Sequence, residues 1–164
     1  MKILFTPYYS SHFDYRVLSE LAFEFKKKGH ETLVLRNPIS EKTLSNFCRS
    51  NNIDIIFQVN KFRSHNLKLP SNTRHISWFQ DVYPSSFNIS ELDHKNGDLI
   101  YVFGEKKTLG FPDLKNVNIK TLNFGVSSFN LIEKLQTSKF KKDFSFVGYI
   151  PNLILHNDFI TIIG

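Results

Sequence analysis

A Rossmann-like α/β fold, a parallel sheet flanked by helices, is what this sequence predicts, and three observations predict it. Short apolar runs recur at residues 2–6, 31–35, 53–59, 76–79, 98–103 and 119–123. Segments with a helical apolar period separate the first three runs, and such alternation builds βαβ units. The run at 53–59 is almost continuously apolar, the pattern of a strand covered on both faces. Right-handed crossovers then place helices on both sides of the sheet.

The elements follow in order. Residues 2–6 read as the first strand, and Pro7-Tyr-Tyr-Ser-Ser-His12 as the loop after it. Asp14 or Ser11 can cap the next helix by accepting a bond from a free backbone N–H. Over residues 15–28, Val17, Leu18, Leu21, Ala22 and Phe25 fall on one helical face. Three lysines suit the negative end of that helix, and Gly29 suits the position after it. Residues 31–35 form the second strand, Ser40 caps a helix over 41–50, and Asn51-Asn52 ends it. Residues 60–73 read as loop. Turn residues bound Ile76-Ser-Trp-Phe79, which is too short for a helix and reads as a buried strand. A short helix is expected near 90–93, strands at 98–103, 119–123 and 144–147, and helices at 129–135 and 153–163. A basic linker at 137–142 divides the chain into a first domain, 1–136, and the beginning of a second, 137–164.

Composition limits the function classes. With 164 residues, 41% hydrophobic and 22% charged, the chain has the make-up of a folded domain rather than a disordered segment. Its many phenylalanines are expected to pack in the core along strands and one helix face. The net charge of +6 comes from dispersed lysines, which favours a solvated basic surface over a nucleic-acid site. It leaves an anionic ligand or a peripheral membrane contact open. The lone cysteine, Cys48, excludes an internal disulfide and a cysteine zinc cluster. No apolar run approaches the ~18 residues of a membrane span. The first residues read as a strand rather than a signal peptide, so a cytoplasmic location is expected.

The strand ends carry the chemistry. In open α/β sheets, ligands sit beyond the carboxyl ends of the strands. There the sequence puts Tyr8, Tyr9, Ser10, Ser11 and His12, then Gln58, Asn60 and Lys61, then Gln80 and Asp81, then Gly104 and Glu105, then Asn123 and Gly125. Carboxylates, amides and aromatic faces converging on one edge suit a polyhydroxylated ligand. Each position also fits an ordinary wet loop. His12 is either bonded to a neighbouring backbone group or a general base. Asp81 either caps the following segment or orients a ligand hydroxyl. His30, His65, His75 and His94 read as surface or strand-end residues. No histidine pair has metal-ligand spacing, so no metal site is expected. A Gly-x-Gly-x-x-Gly turn, a Walker loop and a Gly-x-Ser-x-Gly elbow are all missing from the sequence.

Four patterns together carry a resemblance. Met1-Lys-Ile-Leu-Phe5 runs into a long helix ending Lys27-Lys-Gly-His-Glu31. Ile76-Ser-Trp-Phe-Gln-Asp81 is an aromatic strand ending in aspartate. Leu122-Asn-Phe-Gly-Val-Ser127 and Asp143-Phe-Ser-Phe-Val-Gly148 follow. In this order, the chain resembles the N-terminal half of GT-B glycosyltransferases, especially bacterial family-1-like and spore-maturation-type members. The resemblance implies a two-domain enzyme that moves a sugar from a nucleotide-sugar donor to a glycan acceptor, with no cofactor and no bound metal. On that reading His12 and Asp81 are the catalytic candidates: one of them deprotonates the acceptor hydroxyl if the enzyme is inverting, and neither need be a base if it is retaining. Tyr9, Ser10, Ser11, Gln80, Glu105 and Gly125 line the substrate. Gly148 would lie on the donor side. Two departures stand out. Ser127 replaces the family's aspartate, and the family's donor-binding residues fall beyond Gly164. The chain is therefore expected to be an acceptor-side fragment, inactive without a C-terminal domain. The alternative is a stand-alone Rossmann-like module that binds a sugar, a nucleotide or a protein.

Overall fold

The computed structural model describes residues 1–80, 89–104, 106, 114, 117 and 119–122. In β1 (Lys2–Thr6), the four residues Ile3-Leu-Phe-Thr6 are all buried, and their side chains alternate between the two faces of a sheet. The other strands are β2 (Glu31–Val34), β3 (Ile55–Val59), β4 (Arg74–Phe79), β5 (Leu99–Val102) and β6 (Ile119–Thr121). The order is β2-β1-β3-β4-β5-β6, and every neighbouring pair is parallel. This is the expected Rossmann-like α/β arrangement. The chain steps from β1 outward to β2, then crosses back to β3. The reversal leaves a switch point between β1 and β3, where such sheets open a crevice at their carboxyl edge.

Helices α1 (His12–Lys27) and α2 (Glu41–Ser50) cover opposite faces. On the first face Leu18 and Ala22 of α1 pack on Ile3, Phe5, Phe57, Val59 and Trp78. Phe57 bridges this layer, 5.4 Å from Phe5 and 6.1 Å from Trp78 between ring centroids. On the second face Leu44 and Cys48 of α2 pack on Leu4 and Ile56. The 60–73 segment, read as loop, completes that face without a regular helix. Its Leu67 joins the α2 cluster, and its Phe62 packs on Phe79, Ile100 and Val102.

Caps fix the helix starts. Ser11 accepts from the Asp14 N–H at 2.9 Å, so α1 begins three residues before its apolar period does. Asp14 is not the cap; its carboxylate accepts from the Tyr9 N–H at 3.2 Å and ties down the loop. Ser40 caps α2 as expected, accepting from Thr43. Gly29 has φ +84, a conformation glycine tolerates, and it turns the chain into β2.

Several expectations are corrected. Phe13 and Phe23 of α1 are exposed, so the phenylalanines are not all core residues. The expected short helix is a single 3-10 turn, Ile89–Glu91. The fourth strand begins two residues early, at Arg74, and takes in His75. That histidine is 1% exposed, not a surface residue, because polar partners from β3 and β4 meet it inside the sheet layer. The strand expected at 144–147, the helices at 129–135 and 153–163, and the division at 136 lie outside the described residues.

Candidate functional site

A cleft of about 70 Å³ opens at the switch point. Thr6, Pro7 and Tyr8 leave β1 into it, Gln58 and Lys61 come from the end of β3, and Pro38, Ile39 and Leu44 form the wall beside α2. The prolines, Ile39 and Leu44 make an apolar surface, while the remaining four side chains are polar. Thr6 is 2% exposed, and its Oγ1 has no hydrogen-bond partner among the described residues. Burying a hydroxyl in this way costs about 1–3 kcal/mol.

Gln58 sits beside Thr6 across the β1–β3 pairing. Its Oε1 lies 2.7 Å from His75 Nε2, and His75 Nδ1 lies 3.2 Å from Ser77 Oγ. Proton counting selects the tautomer. If Nδ1 carried the proton, the buried Ser77 hydroxyl would have no acceptor among the described residues. With the proton on Nε2, Ser77 donates to Nδ1, and Nε2–H donates to Gln58. Every donor in the relay is then satisfied, and the Gln58 Nε2 amide is left for the cleft. The imidazole stays neutral, its pKa lowered to about 3 by burial, then by the charges of Arg63, Lys61 and His94.

Lys61 lines the cleft, and its Nζ lies 3.0 Å from Glu41 Oε1 on the first turn of α2. The Tyr8 pKa is raised, first by burial and then by a hydrogen bond to Tyr9, which keeps the phenol protonated at neutral pH. The two rings meet edge to face at 4.3 Å. Asn60, at φ +51, accepts from the Gln80 N–H at 2.8 Å and ties the ends of β3 and β4 together.

The residues expected at the site are only partly gathered. Gln80 is buried at the end of β4, and its Nε2 is unpartnered among the described residues. Tyr9 and Ser10 are exposed, and Tyr9 meets Tyr8 edge to face. The Ser11 hydroxyl is taken up by the helix cap. His12 is exposed on the first turn of α1 and does not line the cleft. Asp81, Glu105, Gly125 and Gly148 lie outside the described residues. Residue order in the sequence missed Thr6, the Pro38-Ile39 wall and His75.

A wider groove of about 610 Å³ lies at the opposite edge, lined by Arg63, residues 70–74, Lys95, Asn96 and Asp98. There Asp98 accepts from Arg63 Nη1 at 3.2 Å and from the His75 and Lys95 N–H groups, both at 2.9 Å. That carboxylate staples the starts of β4 and β5 to the 60–73 segment, a structural role at the end of the sheet away from the crevice. Among the described residues, no three His, Cys, Asp or Glu side chains gather as a metal-ligand set. No helix among them is long and apolar enough to cross a membrane. Comparison with protein-family models, curated proteins and solved structures gave no match.

Proposed function

We propose that this chain is the acceptor-binding part of a glycosyltransferase that moves a sugar from a nucleotide-sugar donor to a glycan or related acceptor on the cytoplasmic side. The observation that carries the proposal is the switch-point cleft. It combines the unpaired Thr6 hydroxyl, an amide oriented from behind by His75, a lysine and a protonated phenol, beside an apolar wall. Such a mixture suits a ligand with many oxygens and an apolar face. The sequence resemblance supports the same assignment, and in it Asp81 or His12, the latter exposed and outside the cleft lining, deprotonates the acceptor hydroxyl if the enzyme is inverting.

The same cleft also favours a second proposal, a binding module without chemistry of its own. His75, which bonds to Gln58 of the cleft lining, has both ring nitrogens engaged, and the lining groups hold a ligand rather than move a proton. Turnover decides between the two. The protein as its own cells make it is incubated with a panel of nucleotide sugars and cell-derived glycans, and nucleotide release is followed. Release that falls at least tenfold in Asp81→Asn, with the melting temperature unchanged, supports the enzyme. No release with any donor leaves the binding module.

A further inference from the structure

Three side chains that line the cleft carry hydrogen-bond donors. The Thr6 hydroxyl proton has no acceptor among the described residues, and the residue is 2% exposed. Gln58 is 5% exposed and has its only oxygen committed to His75, so the group it offers is –NH₂. Lys61 has three donors and gives one to Glu41. A ligand that satisfies all three side chains must bring acceptor oxygens. The room is limited as well. At about 70 Å³ the cleft is several times the ~10–15 Å³ that admits one water. It has room for a group of a few heavy atoms and opens to solvent beyond them.

We propose that the cleft binds an oxyanion, a phosphate group carried by the acceptor, through Thr6 Oγ1, Gln58 Nε2 and Lys61 Nζ. The identity of the carrier rests on the acceptor-domain proposal above; the anion site does not. The phosphate enters between the ends of β1 and β3, and the rest of the acceptor lies outside against Tyr8 and the apolar wall. His75 is a positioning residue, because it fixes which end of the Gln58 amide faces the ligand. Glu41 opposes the anion, since its carboxylate sits 3.0 Å from Lys61 and offsets the ammonium charge.

Amide NMR of the 164-residue chain reads the proposal, with inorganic phosphate and, separately, maltose as probes. Phosphate is expected to shift the amides around Thr6, Gln58 and Lys61 saturably. Thr6→Val removes a buried hydroxyl that has no partner, so it should melt at or above the parent temperature while binding phosphate ~10-fold or more weakly. Glu41→Gln should bind phosphate more tightly. Equal phosphate affinity in Thr6→Val and the parent overturns the site, as does a titration in which no cleft amide moves. Maltose in the cleft without phosphate overturns the anion assignment and keeps the acceptor domain. Phosphate in the cleft, with no nucleotide-sugar turnover by the cell-made protein, supports the anion site and removes the glycosyltransferase.

Discussion

His75 should make this protein sensitive to mild acid, and the size of the effect follows from its surroundings. The imidazole is 1% exposed, and its pKa is lowered from 6.5 to about 3, mainly by burial. In the unfolded chain the ring takes a proton below about pH 6.5, whereas in the folded chain it takes one only near pH 3. Between those values the unfolded state binds more protons, so stability falls as the pH falls. Each pH unit well inside that window costs about 1.4 kcal/mol from this one residue. Going from pH 6.5 to 4.5 should therefore remove roughly 2–3 kcal/mol. That is a large part of the ~5–15 kcal/mol typical of a domain. The assay is urea unfolding at several pH values for the parent and for His75→Gln, whose side chain does not titrate. The variant should start less stable at pH 7 and then lose less on acidification, so the two curves converge. Parallel curves would refute the buried neutral imidazole, and with it the proton count that orients Gln58.

Two further substitutions test the packing. Trp78→Ala removes a side chain that is 4% exposed and packed on Phe57, so it should cost ~3–5 kcal/mol by urea unfolding; an unchanged midpoint would place Trp78 outside the core. Asp98→Ala strips Arg63 of its counterion and leaves two N–H donors without their acceptor, and should cost ~3–5 kcal/mol. Arg63→Ala should cost less, because Asp98 keeps both backbone donors; the reverse ranking would show that Asp98 is not the staple.

The fold was legible because its signal is local. Apolar runs and helix caps at Ser11 and Ser40 are written in neighbouring residues, and they place β1 to β6, α1 and α2 within a few positions. The strand order is not local. Nothing in the sequence says that β3 pairs with β1 on the side away from β2, yet that pairing sets Thr6 beside Gln58 and makes the crevice. Reading strand ends did find Tyr8, Gln58 and Lys61, because polar residues after an apolar run are visible in one dimension. Thr6 escaped as an ordinary last residue of a strand. His75 escaped for a stronger reason: its partner Gln58 is 17 residues away, and the carboxylate that holds its N–H is 23 residues away. A histidine just before an apolar run looks like a strand end until the sheet supplies those partners.

The same logic explains the 60–73 segment. It lacks a period, so it reads as loop, yet Phe62, Arg63, Ser64 and Leu67 are buried. An irregular crossover has to satisfy backbone and side-chain polar groups one by one, where a helix would satisfy its backbone internally. Arg63 meets Asp98, and Ser64 bridges to Leu92. These individual bonds tie the 60–73 segment to Leu92 and Asp98, in the stretch that leads into β5, on the face where Gln58, His75 and Ser77 are buried. The polar layer under the cleft therefore depends on a segment without regular structure. A substitution such as Asp98→Ala, at the far edge of the sheet, should loosen His75 through its backbone N–H and thereby disorder the amide that Gln58 presents to the ligand.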